Sequence, residues 1–273
     1  MRNRLLLSVF SLLLLSSFFF ASCTSRQDVA EEKEVARILS FKKEVSQAEA
    51  EEENGDLLLA RKHYREVLGK VTAPEDIKAI NKRIEGLNMQ ILFSNVVETD
   101  DLLYEVHKGD SLGAIASRFG TTVELIKRAN GLTSDMIKVG DVLKVTQADF
   151  SVVVDKSQNI LLLEKDGEVI KTYVVSTGRD NSTPVGTFKI VTKLKDPTWF
   201  RKDIGAIVPP DSPDNILGSR WLGFDLSGYG IHGTTEPESL GTHETKGCVR
   251  MKNEDVEEIF AILPRGSQVT IVD

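Results

Sequence analysis

Cys248, in "HETKGCVRM" (residues 243–251), is one of two cysteines in a chain of 273 residues, and His232, in "YGIHGT", lies sixteen residues before it. A thiol and an imidazole brought together make a nucleophile and its base: sulfur attacks a carbonyl, and the ring takes up the proton and returns it. That chemistry also needs a group to orient the ring and donors aimed at the developing oxyanion. His232 ends a predicted strand. The carbonyl of Gly233 is placed to hold one ring NH, which leaves the other nitrogen facing sulfur. Gly247 lets backbone amides approach a substrate carbonyl closely, and Thr245, Lys246 and Tyr229 are further candidates for the oxyanion and substrate side. Arg250, two residues after the thiol in an extended stretch, can anchor the loop or a substrate carboxylate. Two other readings compete. A lone cysteine is often a buried structural thiol, although glycine, lysine and arginine neighbours speak for exposure. His232, His243 and Cys248 are zinc-binding residue types, but their spacing fits no common pattern; neither metal nor cofactor is expected.

The elements that must position these groups begin near Phe150. "FSVVVD", "NILLLEKDGEVIKTYVVST", "GTFKIV" and "GSQVTIV" are short alternating segments, which predicts a mostly β domain over 149–273. Asp166-Gly167 marks a two-residue hairpin. Asn253 starts a short amphipathic helix that runs through Ile259 and Leu263 and is stopped by Pro264. Residues 195–218 hold four of the eight prolines, and this irregular segment is read as a lid over the site.

"IHGTTEPESLGTHETKGCVRM" and "ILLLEKDGEVIKTYVVSTGRDNSTPVGTFKIV" together resemble the catalytic domain of YkuD-type L,D-transpeptidases. The resemblance implies a β-rich fold without metal, with Cys248 as nucleophile and His232 as base. It implies a thioester with a peptidoglycan tetrapeptide stem, release of D-alanine and transfer of the acyl group to an amine. Water as acceptor would make the protein an L,D-carboxypeptidase; a wall-binding protein without catalysis is the rival from another class. The sequence departs from the family at Lys246: Thr245-Lys246-Gly247-Cys248 stands where Ser-His-Gly-Cys is usual, and His243 is five residues from the thiol. A cationic lysine there is expected to favour thiolate by its charge and to help seat an anionic stem.

Residues 102–146, within "YEVHKGDSLGAIASRFGTTVELIKRANGLTSDMIKVGDVLKV" and its flanks, read as two short strands enclosing two helices and resemble a LysM module. Ser111 or Asp110 can cap the first helix, Gly131 suits a left-handed turn, and Ile115, Leu125 and Leu143 supply a small core. The resemblance implies a βααβ fold that binds N-acetylglucosamine-containing glycan strands in a groove of Gly109, Asp110, Ser111 and Leu112 on one side and Asn130, Gly131, Leu132 and Ile137 on the other. A LysM fold that no longer binds is the alternative.

Upstream, residues 23–98 are charged and nearly free of breakers. Ala60, Tyr64, Val67, Ile80, Ile84, Leu87 and Ile91 recur at helical spacing. "TAPE" offers Thr72 as an N-cap between two helices. The region is read as a spacer or docking bundle, with the spacer role favoured; a single segment in it resembles a tetratricopeptide unit, with no second copy. Residues 1–22 have a basic start and an apolar run ending in Ala21-Ser22 before Cys23, which resembles a bacterial lipoprotein signal with Cys23 lipidated; an uncleaved membrane helix is the alternative. The expected location is therefore the bacterial envelope, exported and membrane-anchored on the periplasmic side. A formal charge of −7 argues against nucleic acid as a partner. Peptidoglycan stems, glycan strands and a membrane are the partners expected. Nothing in the sequence points to an oligomer or to a disulfide between the two cysteines. The chain is thus expected to be multidomain: helical region, LysM module, mostly β catalytic domain.

Overall fold

The computed structural model describes residues 26–201 and 204–273, so the signal over 1–22 and Cys23 lie outside the described residues. Among those described, no helix is long and apolar enough to cross a membrane. Residues 1–43 form one unit, helical where described; residues 44–273 form a second.

Alternating side chains set the sheet of the C-terminal domain. In β3 (Phe150–Asp155) Phe150, Val152 and Val154 point inward, and β4 (Ile160–Lys165) answers with Leu161 and Leu163. Asp166 and Gly167, with φ of 53° and 82°, make the tight hairpin into β5 (Glu168–Val174). The last strand, β12 (Gln268–Val272), inserts between β3, to which it is parallel, and β6 (Gly186–Lys195), to which it is antiparallel. β6 bulges between Ile190 and Thr192 and goes on to pair with β9 (Arg220–Phe224). β10 (Gly230–His232) and β11 (Val249–Arg250) complete an eight-stranded sheet in the order β11-β10-β9-β6-β12-β3-β4-β5. α6 (Asn253–Ile262) packs on β9 and β10 and buries Val256, Ile259, Phe260 and Ile262. The proline-rich stretch is not wholly irregular: β7 (Trp199–Arg201) and β8 (Ala206–Val208) pair as a hairpin of their own.

The LysM module has the expected order, β1 (Asp101–Glu105), α4 (Leu112–Arg118), α5 (Val123–Ala129) and β2 (Val142–Thr146), with β1 and β2 antiparallel. Ser111 caps α4 and Thr122 caps α5. Its small core is Val106, Leu112, Ile115, Ala116, Ile126, Leu143 and Val145. Leu125, expected in that core, belongs instead to the catalytic domain's core cluster. α5 faces α6: the Thr122 hydroxyl donates to the Ala261 carbonyl, Arg128 to the Glu257 carbonyl at 3.4 Å, and Lys195 pairs with Glu124 at 2.9 Å.

α2 (Leu57–Leu68) and α3 (Pro74–Leu92) pack together through Ala60, Tyr64, Val67, Ile80 and Ile84. Ala73, not Thr72, occupies the N-cap position of α3. The helices are docked rather than extended as a spacer, because α3 carries a second buried face. Met89 and Leu92 join the catalytic core, Asn88 donates to the Ile170 carbonyl at 2.9 Å, and Glu85 accepts from Thr172 N at 3.1 Å. Lys144 of β2, 2% exposed, closes the third junction: its ammonium donates to the carbonyls of Ile91, Ser94 and Val96 and pairs with Asp101 at 3.3 Å. A lysine in that place gathers one carbonyl from the last turn of α3 and two from the chain that follows it.

Candidate active site

β10 and β11 are parallel, with Ile231 opposite Val249 and His232 opposite Arg250. Extending that register by one residue puts Cys248 beside Gly230, and the two-residue period turns its sulfur to the face that His232 and Arg250 share. Sixteen residues of separation thus become two adjacent strands. The Met251 amide, donating to the His232 carbonyl at 2.8 Å, fastens the pairing beyond the strand ends.

His232 is 3% exposed, and its Nδ1 donates to the Gly233 carbonyl at 2.6 Å, as its sequence position suggested. This bond sets the Nδ1–H tautomer and leaves Nε2 unprotonated. Trp221, its antiparallel partner on β9, stacks on the ring with centroids 6.0 Å apart. Burial pushes the imidazole pKa down to about 4, with the Arg250 charge acting in the same direction. Burial pushes the Cys248 thiol up to about 11, against a smaller lowering by Arg250 and a backbone hydrogen bond. At rest the pair is therefore thiol and neutral imidazole, not an ion pair. Cys248 is half-buried, and Sγ donates weakly to the Gly228 carbonyl at 3.5 Å.

The loop before the thiol is held from within. Thr245 is buried; its hydroxyl donates to the Cys248 carbonyl at 2.7 Å and accepts from Gly247 N at 3.1 Å. Thr245 and the Gly247 amide are thus engaged with each other rather than presented to a substrate. Gly247 has φ of 122°, and a Cβ there would lie 2.7 Å from the Tyr229 ring and 3.0 Å from the Ser182 carbonyl, so only glycine fits. Tyr229 covers Gly247 from one side. Lys246 is exposed, while the charge that bears on both Cys248 and His232 is that of Arg250.

Arg250 is 6% exposed and donates to Ser239 Oγ at 2.7 Å, with Glu236 at 3.5 Å. It anchors the loop that carries the short 3-10 turn Pro237–Ser239. The ring nitrogens of His243 meet Thr177 Oγ1 at 2.8 Å and Asn159 Nδ2 at 3.2 Å.

One wall was missed in the sequence. After β5 the chain runs on through Ser176, Thr177 and Gly178, bridging to Arg250 and Thr245. Thr183 caps the turn by accepting from Gly178 N at 2.7 Å, and a Cβ on Gly178 would lie 2.9 Å from the Gly247 Cα. The run "STGRDNST" is polar and directly follows an apolar strand, which was the signal available for it.

In the LysM module the expected groove residues divide in two. Asp110 accepts from Tyr104 OH and His107 N, both at 2.8 Å, and Ser111 caps α4. Asn130 latches β2 through Lys144 N and O, and Leu112 is buried in the module's core. Leu132 and Ile137 pack partly buried against that core. Gly109 and Gly131 are exposed on the two loops, and Met136 and Val139 are the large apolar side chains exposed beside them.

Residues 149–271 match the L,D-transpeptidase catalytic domain model, YkuD, and residues 104–146 match the LysM domain model. Similar proteins include YqjB and YkuD of Bacillus subtilis, both bearing L,D-transpeptidase names. YqjB is 41% identical over 45% of this chain and 70% of its own length. YkuD is 32% identical over 62% of this chain and 98% of its own. An L,D-transpeptidase structure from Mycobacterium smegmatis aligns with a TM-score of 0.40 at 20% identity, covering 50% of this chain and 65% of that one. With the two Bacillus relatives matched over most of their lengths, the chain belongs to the L,D-transpeptidase family.

Proposed function

We propose that this protein is a cysteine-dependent L,D-transpeptidase that acylates Cys248 with a peptidoglycan tetrapeptide stem. Sγ attacks the carbonyl of the third stem residue while Nε2 of His232 takes the thiol proton. Collapse of the tetrahedral intermediate expels D-alanine, whose amine leaves with that proton. An acceptor amine then gives a proton to His232 and attacks the thioester, and the new amide forms as the thiol is restored. The observation that carries this reading is the Nδ1–H bond from His232 to the Gly233 carbonyl on the strand next to Cys248, which leaves Nε2 as a base on the sulfur's side. Burial favours the neutral thiol and the neutral imidazole, so His232 is free to take the thiol proton.

The LysM module holds the glycan strand, and the partner is peptidoglycan through both modules. The export signal and lipidation of Cys23 place the enzyme on the membrane at the periplasmic side of the envelope. Cys23→Ser should then abolish labelled fatty-acid incorporation while leaving turnover intact.

The decisive experiment incubates the protein with purified tetrapeptide stems and weighs the products. A cross-linked dimer with loss of D-alanine is expected. D-Alanine alone would make water the acceptor and the protein a carboxypeptidase, and unchanged stems would leave a wall-binding protein. The same assay on Cys248→Ala must give no product.

A further inference from the structure

His232 is oriented by a single acceptor, the Gly233 carbonyl, so whatever fixes that carbonyl fixes the base. The carbonyl belongs to the Gly233–Thr234 peptide, a planar unit whose C=O and N–H turn together. Thr234 N, at the other end of the same unit, donates to Asn253 Oδ1 at 3.1 Å, and Asn253 Nδ2 donates to the Thr234 carbonyl at 2.9 Å. A rotation of this peptide that misaligned the Gly233 carbonyl would therefore break a bond to Asn253. The carboxamide, the peptide and the imidazole form a chain of hydrogen bonds in series, and each bond polarises the next.

Space has been left for this side chain. A Cβ on Gly233 or on Gly218 would overlap Asn253 Oδ1, so both glycines admit the carboxamide. The same Oδ1 accepts from Ser219 N at 3.1 Å. It thereby ties the end of the proline-rich segment to the exit of β10. Asn253 stands at the start of α6, whose Val256, Ile259, Phe260 and Ile262 are anchored in the core, so the carboxamide is presented from a fixed element.

We propose that Asn253 is a positioning residue for the base, holding His232 in its Nδ1–H tautomer with Nε2 toward Cys248 through the Gly233–Thr234 peptide. The proposal rests on the reading of His232 as base. It assigns Asn253 no contact with the substrate. Arg250 is the charged group that bears on the imidazole, and its place on β11 is independent of Asn253.

The test uses the full-length protein and its Asn253→Ala, Asn253→Asp, Asn253→Ser and His232→Ala variants. Ring-nitrogen chemical shifts of His232 report the tautomer, and steady-state kinetics on tetrapeptide stems report kcat and KM. Asn253→Ala is expected to give a mixture of tautomers and to lower kcat about 10- to 100-fold with KM changed less than about threefold, the pattern of misplacement without lost binding. Asn253→Asp keeps the oxygen that both amides use but sets a carboxylate oxygen against the Thr234 carbonyl, and should retain more of the tautomer and of kcat than Asn253→Ala. A folded Asn253→Ala with the parent tautomer and kcat, whatever its Tm, would overturn the proposal. If Asn253→Ala cannot be purified, a folded Asn253→Ser with the parent tautomer and kcat overturns it equally. Full turnover by His232→Ala would remove the reading of His232 as base, whereas dependence on His232 with indifference to Asn253 sinks this proposal alone.

Discussion

His232 and Arg250 are register partners on neighbouring parallel strands, so a buried guanidinium lies beside the imidazole and disfavours its protonation. Its charge lowers the pKa of both His232 and Cys248, which favours a neutral base and partly offsets the burial of the thiol. Arg250→Gln should therefore raise the pH at which Cys248 alkylates and slow alkylation at fixed pH by about tenfold, through the smaller thiolate fraction. Lys246→Ala should leave the alkylation profile near that of the parent. The reverse ranking in a pH series of iodoacetamide rates would assign the electrostatic role to Lys246, as the sequence reading expects.

Stability should depend on pH through His232. Its folded pKa, about 4, lies below the ordinary 6.5, so the unfolded chain binds the proton more readily between those values. The contribution is fully present above the unfolded pKa and is lost as pH falls through 6.5 toward 4. Linkage gives a loss of roughly 2 kcal/mol between pH 7.5 and pH 5. Urea unfolding of parent and His232→Gln at both values checks this: the variant's loss should be smaller by about that amount.

Thr245 holds the nucleophile loop by bonding both Gly247 N and the Cys248 carbonyl. Thr245→Val keeps the volume and removes the bonds, and should cost about 1–3 kcal/mol and lower kcat by about tenfold or more. Thr245→Ser should restore most of both. A Thr245→Val enzyme with parental kinetics would show that the strands alone place the sulfur.

Leu125 crosses from the LysM module into the catalytic core. Leu125→Ala should destabilise by about 2–5 kcal/mol. Calorimetry should find the module and the catalytic domain melting together in the parent. An early, separate LysM transition in the parent would contradict the shared core.

The bond between His232 and the Gly233 carbonyl was legible because it joins neighbours in sequence, and Cys248 and His232 drew attention by residue chemistry alone. The strands around Val152 and Leu161 were legible from their alternation, and α2 and α3 from their helical period. Junctions were harder. Leu125 and Met89 carry no mark that tells which core they join, and Lys144 reads as a solvated lysine until the end of α3 is placed over it. Asn253 was visible only as a helix start, since its two bonded amides, on Ser219 and Thr234, come from segments that meet only in the fold. The second stripe on α3, Met89 and Leu92 beside Leu87 and Ile91, was the one sequence sign that the helices dock.

Lys144 grips the end of α3 while its own strand belongs to the module, and Leu125 fixes the module to the sheet. The loops of the module and the strand that carries Cys248 thereby keep a constant bearing, as work is clamped in a jig. If the module holds a sugar strand as proposed, stems at one spacing from the clamped sugar are the ones that reach the sulfur.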